Sequence, residues 1–201
     1  MTTQAEAANA MLTNASDDEN ENKFLSFFLG SEEYGVEILR VREIIGLIDI
    51  TPLPQMPDYV KGVINLRGKI IPVIELRAKF SLDPKAYTEE TCVIVVEVTE
   101  GDDDRFHMGV IVDNVNEVID IPRSHIDPAP RFGGAMNTSY ILGMGKVKNK
   151  VLTLLDIDKV MSQSDLVGLS QAGRQQDTSE TESTDSSSTI DEPEAQVTQA
   201  A

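Results

Sequence analysis

The chain has no Trp, a single Cys, two His, and only 17 Lys and Arg residues against 34 Asp and Glu in 201 positions. Each scarcity closes a class of function. One cysteine, Cys92, cannot build an internal disulfide framework, and one Cys with two His cannot make a thiolate zinc site. A net charge of −17 disfavours nucleic-acid partners, whose phosphates need a basic surface, and it disfavours anionic lipid for the same reason. No apolar run approaches the roughly 18 residues of a membrane span. The opening Met1-Thr-Thr-Gln-Ala-Glu6 lacks a basic stretch followed by an apolar one, so no export signal is expected. These absences predict an acidic, soluble, cytoplasmic protein without direct membrane insertion.

The charge that is present is unevenly placed. Residues 1–22 carry Glu6, Asp17, Asp18, Glu19 and Glu21 with no Lys or Arg. Residues 165–201 carry eight acids against Arg174 alone, which leaves only −5 on residues 23–164. Both ends are rich in Ser, Thr, Gln, Asn and Ala and cannot bury enough apolar surface to offset backbone ordering. We therefore expect disordered acidic tails over 1–22 and 170–201 and a folded unit over 23–169.

That unit repeats itself. Gly35-Val-Glu-Ile-Leu-Arg-Val41-Arg-Glu43-Ile-Ile45 aligns without a gap to Gly109-Val-Ile-Val-Asp-Asn-Val115-Asn-Glu117-Val-Ile119. A second block, Tyr59 to Leu76, aligns to Tyr140 to Ile157 through its apolar pattern and a basic residue followed by Gly68 or Asn149. Two blocks in the same order indicate a duplicated unit of roughly 55 to 65 residues. Each reads as β. Phe24–Leu29 and Tyr34–Ile38 flank Gly30-Ser-Glu-Glu33; Cys92–Val98 and Phe106–Val112 flank an acidic turn; Val63–Leu66 and Lys69–Leu76 flank Arg67-Gly68. Gly68 and Asn149 are residue types that accept a left-handed backbone. Pro72 cannot donate to a ladder, which predicts an edge strand or a bulge. Pro52, Pro54 and Pro57 predict an extended connection.

So many short strands suit small closed barrels rather than one open sheet. The expectation is a mainly β fold of two barrels side by side, the first over about 23–85 and the second over about 90–155. A turn or short helix is expected near Arg77–Leu82. A C-terminal helix is expected over about 156–169, with Ile157, Val160, Met161 and Val167 on one face.

Catalytic motifs are missing. His107 and His125 pair with no Cys, Ser or carboxylate at a recognisable spacing, which predicts surface or loop histidines. Gly143-Met-Gly145 is too short for a dinucleotide loop and reads as a barrel bend. Asp102-Asp-Asp104 lacks the Gly and Glu of a calcium loop. Cys92 heads an aliphatic strand and reads as a small core residue. No enzyme activity, metal or cofactor is expected.

Charged residues within apolar strands carry more information. Glu43 lies in Ile38-Leu-Arg-Val-Arg-Glu-Ile-Ile45, and Glu117 occupies the matching place in the repeat. A half-buried carboxylate needs a partner, and Arg67 is the best candidate because a guanidinium fork matches a carboxylate. Such a pair either pins two strand ends together or organises an exposed surface, and the two roles are compatible.

Phe28–Gly46, Val60-Lys-Gly-Val-Ile-Asn-Leu-Arg-Gly68, Ile71-Pro-Val-Ile-Glu-Leu-Arg77, Val110–Val115 and Tyr140–Gly145 together resemble the chemotaxis coupling proteins of the CheW family, across about residues 23–164. The resemblance implies two intertwined five-stranded SH3-like barrels and a non-catalytic scaffold. It implies two partners, the cytoplasmic tip of a methyl-accepting chemoreceptor and the regulatory domain of the histidine kinase CheA. By position it implies receptor binding at Val41, Gly62 and Arg67, a structural pair between Glu43 and Arg67, and kinase binding near Ile48, Asp49, Ile50 and Leu53. The acidic hairpin at Thr99–Arg105 and the long C-terminal tail depart from the family pattern. Two other readings stay open: a coupling protein of a parallel receptor–kinase pathway, such as surface motility or second-messenger control, and a ligand-binding double barrel. The latter would need a convergent aromatic pocket, which ten scattered Phe and Tyr residues scarcely supply.

Overall fold

A computed structural model describes residues 21–100, 104–130, 138–147 and 150–161. Among the described residues eleven strands and two one-turn α-helices follow in order: β1 Lys23–Leu29, β2 Glu32–Glu37, β3 Val41–Gly46, β4 Val60–Leu66, β5 Lys69–Glu75, α1 Leu76–Lys79, β6 Cys92–Glu100, β7 Asp104–Val112, β8 Asn114–Asp120, β9 Ile126–Asp127, β10 Ile141–Val147, β11 Lys150–Leu155 and α2 Ile157–Val160. The expected hairpins form β1–β2, β6–β7 and β4–β5. Arg67 and Gly68 both take positive φ (55° and 85°), so the β4–β5 turn is the two-residue type whose twist matches its strands. Asn65 accepts a hydrogen bond from the Gly68 amide at 2.9 Å and holds that turn.

The strands assemble into two sheets, ordered β8-β1-β2-β11-β10-β9 and β3-β6-β7-β5-β4. Side chains from the outer strands of the second sheet, Ile45 of β3 and Ile64 of β4, share one cluster with Val73, Val93, Val95 and Ile111, so this sheet curls into a barrel. The first sheet encloses Phe24, Leu152 and Leu154 with Ile119, Ile126 and Val147. A third and larger cluster, including Leu25, Phe27, Ile94, Val96 and Val110, fills the seam between the barrels.

Because β6 lies between a barrel interior and the seam, Val93 and Val95 point one way and Cys92, Ile94 and Val96 the other. A strand buried on both faces has to be apolar throughout, which explains the uninterrupted run at 92–96. Each such side chain contributes about 1.5–3 kcal/mol by burial. Cys92 is buried and free, and burial pushes its thiol up to about 11.

Three expectations change. The barrels do not coincide with the contiguous stretches 23–85 and 90–155. Each takes the first two strands of one repeat and the remaining strands of the other, β6 and β7 with β3 to β5 and β1 and β2 with β8 to β11, because β2 joins β11 and β5 joins β7 by parallel pairing. One sheet has six strands rather than five, since the two-residue β9 adds to β10. Pro72 lies inside β5 in an interior strand without a bulge at its position. Its partner Val63 directs both its N–H and its C=O to Thr51 at 2.9 Å, so that pair asks no hydrogen bond of Pro72. Pairing of β5 with β7 starts only at Val73.

The expected turn after β5 is α1, closed by Leu82 N–H to Arg77 C=O at 2.8 Å. Of the expected C-terminal helix the described residues hold one turn, Ile157–Val160, with Ile157, Val160 and Met161 in the seam, and 162–169 lie outside them. Val167, Asn149, the tip of the Thr99–Arg105 hairpin, residues 1–20 of the expected N-terminal tail and the whole expected C-terminal tail lie outside the described residues. Among the described residues no helix is long and apolar enough to cross a membrane.

Candidate functional site

One end of the five-stranded barrel carries a polar network. The bulge in β3 between Val41 and Glu43 turns Glu43 toward the β4–β5 turn. There Arg67 Nη2 donates to Glu43 Oε1 at 2.6 Å. The Glu43 side chain is 19% exposed and that of Arg67 77%, so the carboxylate anchors a guanidinium that remains open to a partner. Glu43 and Arg67 thus form an ion pair that joins β3 to the β4–β5 hairpin.

Beside it, Glu97 of β6 accepts from Arg42 Nη2 at 2.8 Å and Arg105 Nη1 at 3.2 Å. Burial alone would raise the Glu97 pKa, but the Arg42 hydrogen bond and charge, joined by Arg105, hold it below the usual carboxylate range. His107 pairs across from Glu97 and is half-buried in strand β7, where a surface or loop histidine was expected. Its burial, with the charges of Lys69 and Arg42, lowers its pKa against the pull of Glu97. This cluster escaped the sequence reading, although one signal was available: Glu97 is the sole charge between Cys92 and Val98.

The other receptor-binding candidates are interior. Val41 is buried in the seam cluster. Gly62 is buried at the β4 bulge with φ 138°, and a Cβ there would lie 2.0 Å from the Thr51 carbonyl oxygen. Gly143 repeats the arrangement at the β10 bulge against the Asp127 carbonyl, as expected of a barrel bend. Gly62 thus lets the β3–β4 loop close over the barrel; its contribution to any interface is the position of that loop. The kinase-binding candidates sit on the same loop. Ile48 is 41% exposed and Asp49 is exposed, whereas Ile50 packs against the barrel cluster and Leu53 is half-buried.

The repeat places an equivalent end on the six-stranded barrel, and its contents differ. Asn116 stands where Arg42 stands, Glu117 where Glu43 stands, Glu33 where His107 stands and Lys150 where Lys69 stands. Glu117 is exposed rather than half-buried like Glu43, and Lys148, its counterpart to Arg67, is outside the described residues. Between these groups lies a cavity of about 290 Å³ with Ile119 and Leu152 at its base. Among the described residues, no group of three His, Cys, Asp or Glu could hold a metal ion.

These features have parallels in known proteins. The CheW-like domain model matches residues 23–165. The chain belongs to the CheW-like family. It is 40% identical over 144 residues to the chemotaxis protein CheW of Klebsiella aerogenes, covering 72% of this chain and 84% of that one. It is 34% identical over 145 residues to the chemotaxis protein CheW of Helicobacter pylori, again covering 72% and 84%. The crystal structure of the scaffolding protein TtCheW from Thermoanaerobacter tengcongensis aligns with a TM-score of 0.65 at 32% identity, covering 72% of this chain and 95% of that one. The chain is accordingly a chemotaxis scaffold of CheW type with a double-barrel fold, as its motifs led us to expect.

Proposed function

We propose that this CheW-type chain is a non-catalytic adaptor that joins the cytoplasmic tip of a chemoreceptor to the regulatory domain of CheA. The reading places it in the cytoplasm, recruited to membrane-associated receptor arrays. The observation that carries it is Arg67, mostly exposed yet held by the half-buried Glu43 at the end of a rigid hairpin. A pre-positioned guanidinium on a fixed turn is suited to reading a carboxylate or a carbonyl edge on another protein. In this reading Arg67 faces the receptor, Val41 and Gly62 support the surface from within, and Ile48 and Asp49 face the kinase with Ile50 and Leu53 beneath them. Two faces on one small body would let it bridge partners whose separate contacts are weak.

The test is Arg67→Glu in a reconstituted mixture of receptor fragment, CheA and the full chain. Because the guanidinium is exposed, losing the pair should cost only about 0.2–1 kcal/mol of stability. Receptor-dependent kinase autophosphorylation should nevertheless vanish, and receptor co-sedimentation with it. A stable Arg67→Glu protein that still binds receptor and activates the kinase would sink the proposal.

A further inference from the structure

The two barrel ends share one ancestry in sequence, and comparing them shows what the cavity of the six-stranded barrel lacks. In the five-stranded barrel the end is closed by the chain's own arginine. Arg42 reaches across to Glu97 at 2.8 Å, next to His107. In the six-stranded barrel Phe28 takes the place of Glu97, since Phe28 pairs with Glu33 as Glu97 pairs with His107. The carboxylate is kept but moved one strand over, to Glu33. The arginine is not kept: the Arg42 position is Asn116, whose shorter side chain donates from Nδ2 to Glu33 Oε1 at 2.9 Å and reaches no further. The cavity of about 290 Å³ opens beside that substitution.

Among the described residues, no long cation fills this cavity. The Glu33 side chain is only 14% exposed, and Lys150 approaches it no closer than 4.0 Å while remaining 78% exposed. Glu117 lies on the same rim, and Ile119 and Leu152 give the base an apolar lining for a methylene stem. A volume near the lower limit of small-molecule pockets, about 300 Å³, suits one inserted side chain better than a drug-sized ligand. An arginine meets each requirement: a three-carbon stem for the base and a planar fork for carboxylates on two strands. From this we infer that the end of the six-stranded barrel is a socket for an arginine side chain presented by a partner protein, seated on Glu33 and Glu117 as Arg42 is seated on Glu97.

The inference needs neither the receptor nor the kinase assignment, and its first test uses neither protein. The full chain is titrated with N-acetylarginine methylamide and followed through the Asn116 side-chain amide and the Ile119 and Leu152 methyls by NMR. Saturable shifts at all three are expected. They should be absent with the neutral isostere N-acetylcitrulline methylamide and lost in Glu33→Gln. Asn116→Arg restores the residue found in the other barrel; it should fill the socket, raise the melting temperature and abolish the titration. No saturable shift, or an equal response to citrulline, would overturn the socket. The second test is assembly of the Asn116→Arg chain with receptor fragment and CheA, where loss of complex is expected. Unchanged assembly would overturn the partner-borne source of the arginine and leave the receptor-facing role of Arg67 untouched, since Arg67→Glu tests that separately.

Discussion

At the scale of single residues, two titrating groups at the end of the five-stranded barrel tie stability to pH in the same direction. His107 is lowered from 6.5 by its burial and by Lys69 and Arg42. Its neutral ring is favoured in the fold, so its contribution is complete above pH 6.5 and is lost as pH falls through the depressed value. Glu97 is lowered from 4.5, because its two arginines outweigh its burial. Its contribution is present above pH 4.5 and is lost as pH falls through its own folded value. Urea unfolding across pH 3–8 should therefore show two successive losses on acidification. His107→Asn should remove the first and Glu97→Gln the second; a Glu97→Gln profile that keeps the lower step would refute this assignment. Glu43 and Arg67 were legible in the sequence because a lone acid among aliphatics and an arginine at a turn call for each other. The contact of Arg42 with Glu97 was not, since only the pairing of β3 with β6 brings these two together, whereas Arg105 reaches Glu97 across the β6–β7 hairpin.

At the scale of elements, the one-turn α2 is too short to be stable alone and is held by its surroundings. Besides the buried Ile157 and Val160, Asp158 contributes to this. Its Oδ2 accepts from Arg40 Nη2 at 2.5 Å and its Oδ1 from the Thr99 amide at 2.8 Å, which ties the helix to β6 and to the turn before β3. Asp158→Ala would leave the Thr99 N–H and the Arg40 guanidinium without these partners, at a cost of about 1–3 kcal/mol. The expected outcome is faster hydrogen exchange at the Thr99 amide with the β4–β5 ladder unaffected; protection equal to the parent at Thr99 would count against the tie. The strands themselves were readable from β-branched runs and Gly turns. Pro72 was misread because its tolerance depends on Thr51, a residue of a distant loop that takes up both hydrogen-bonding groups of Val63.

At the scale of the whole molecule, the repeat revealed the number of units but not how they divide the strands. Local patterns locate β2 and β11; nothing local says that they pair in parallel, because that register lies between residues 34–36 and 153–155. Since each barrel borrows from both repeats, neither half owns a complete core. Residues 21–88 and 89–165 expressed apart should each lack the near-ultraviolet signature of packed Tyr and Phe, and mixing them should restore it. A cooperatively folded half on its own would contradict the exchange of strands. The same exchange sets a timetable during translation. Strands β4 and β5 wait only for β6 and β7, but the β1–β2 hairpin must wait for β11, which ends at Leu155. At about 5–20 residues per second, the earliest hairpin leaves the ribosome on the order of ten seconds before its parallel partner exists. During that interval the free edge of β2 is open to any other nascent strand. Among the described segments, this hairpin is therefore the one that a holding chaperone has most reason to cover.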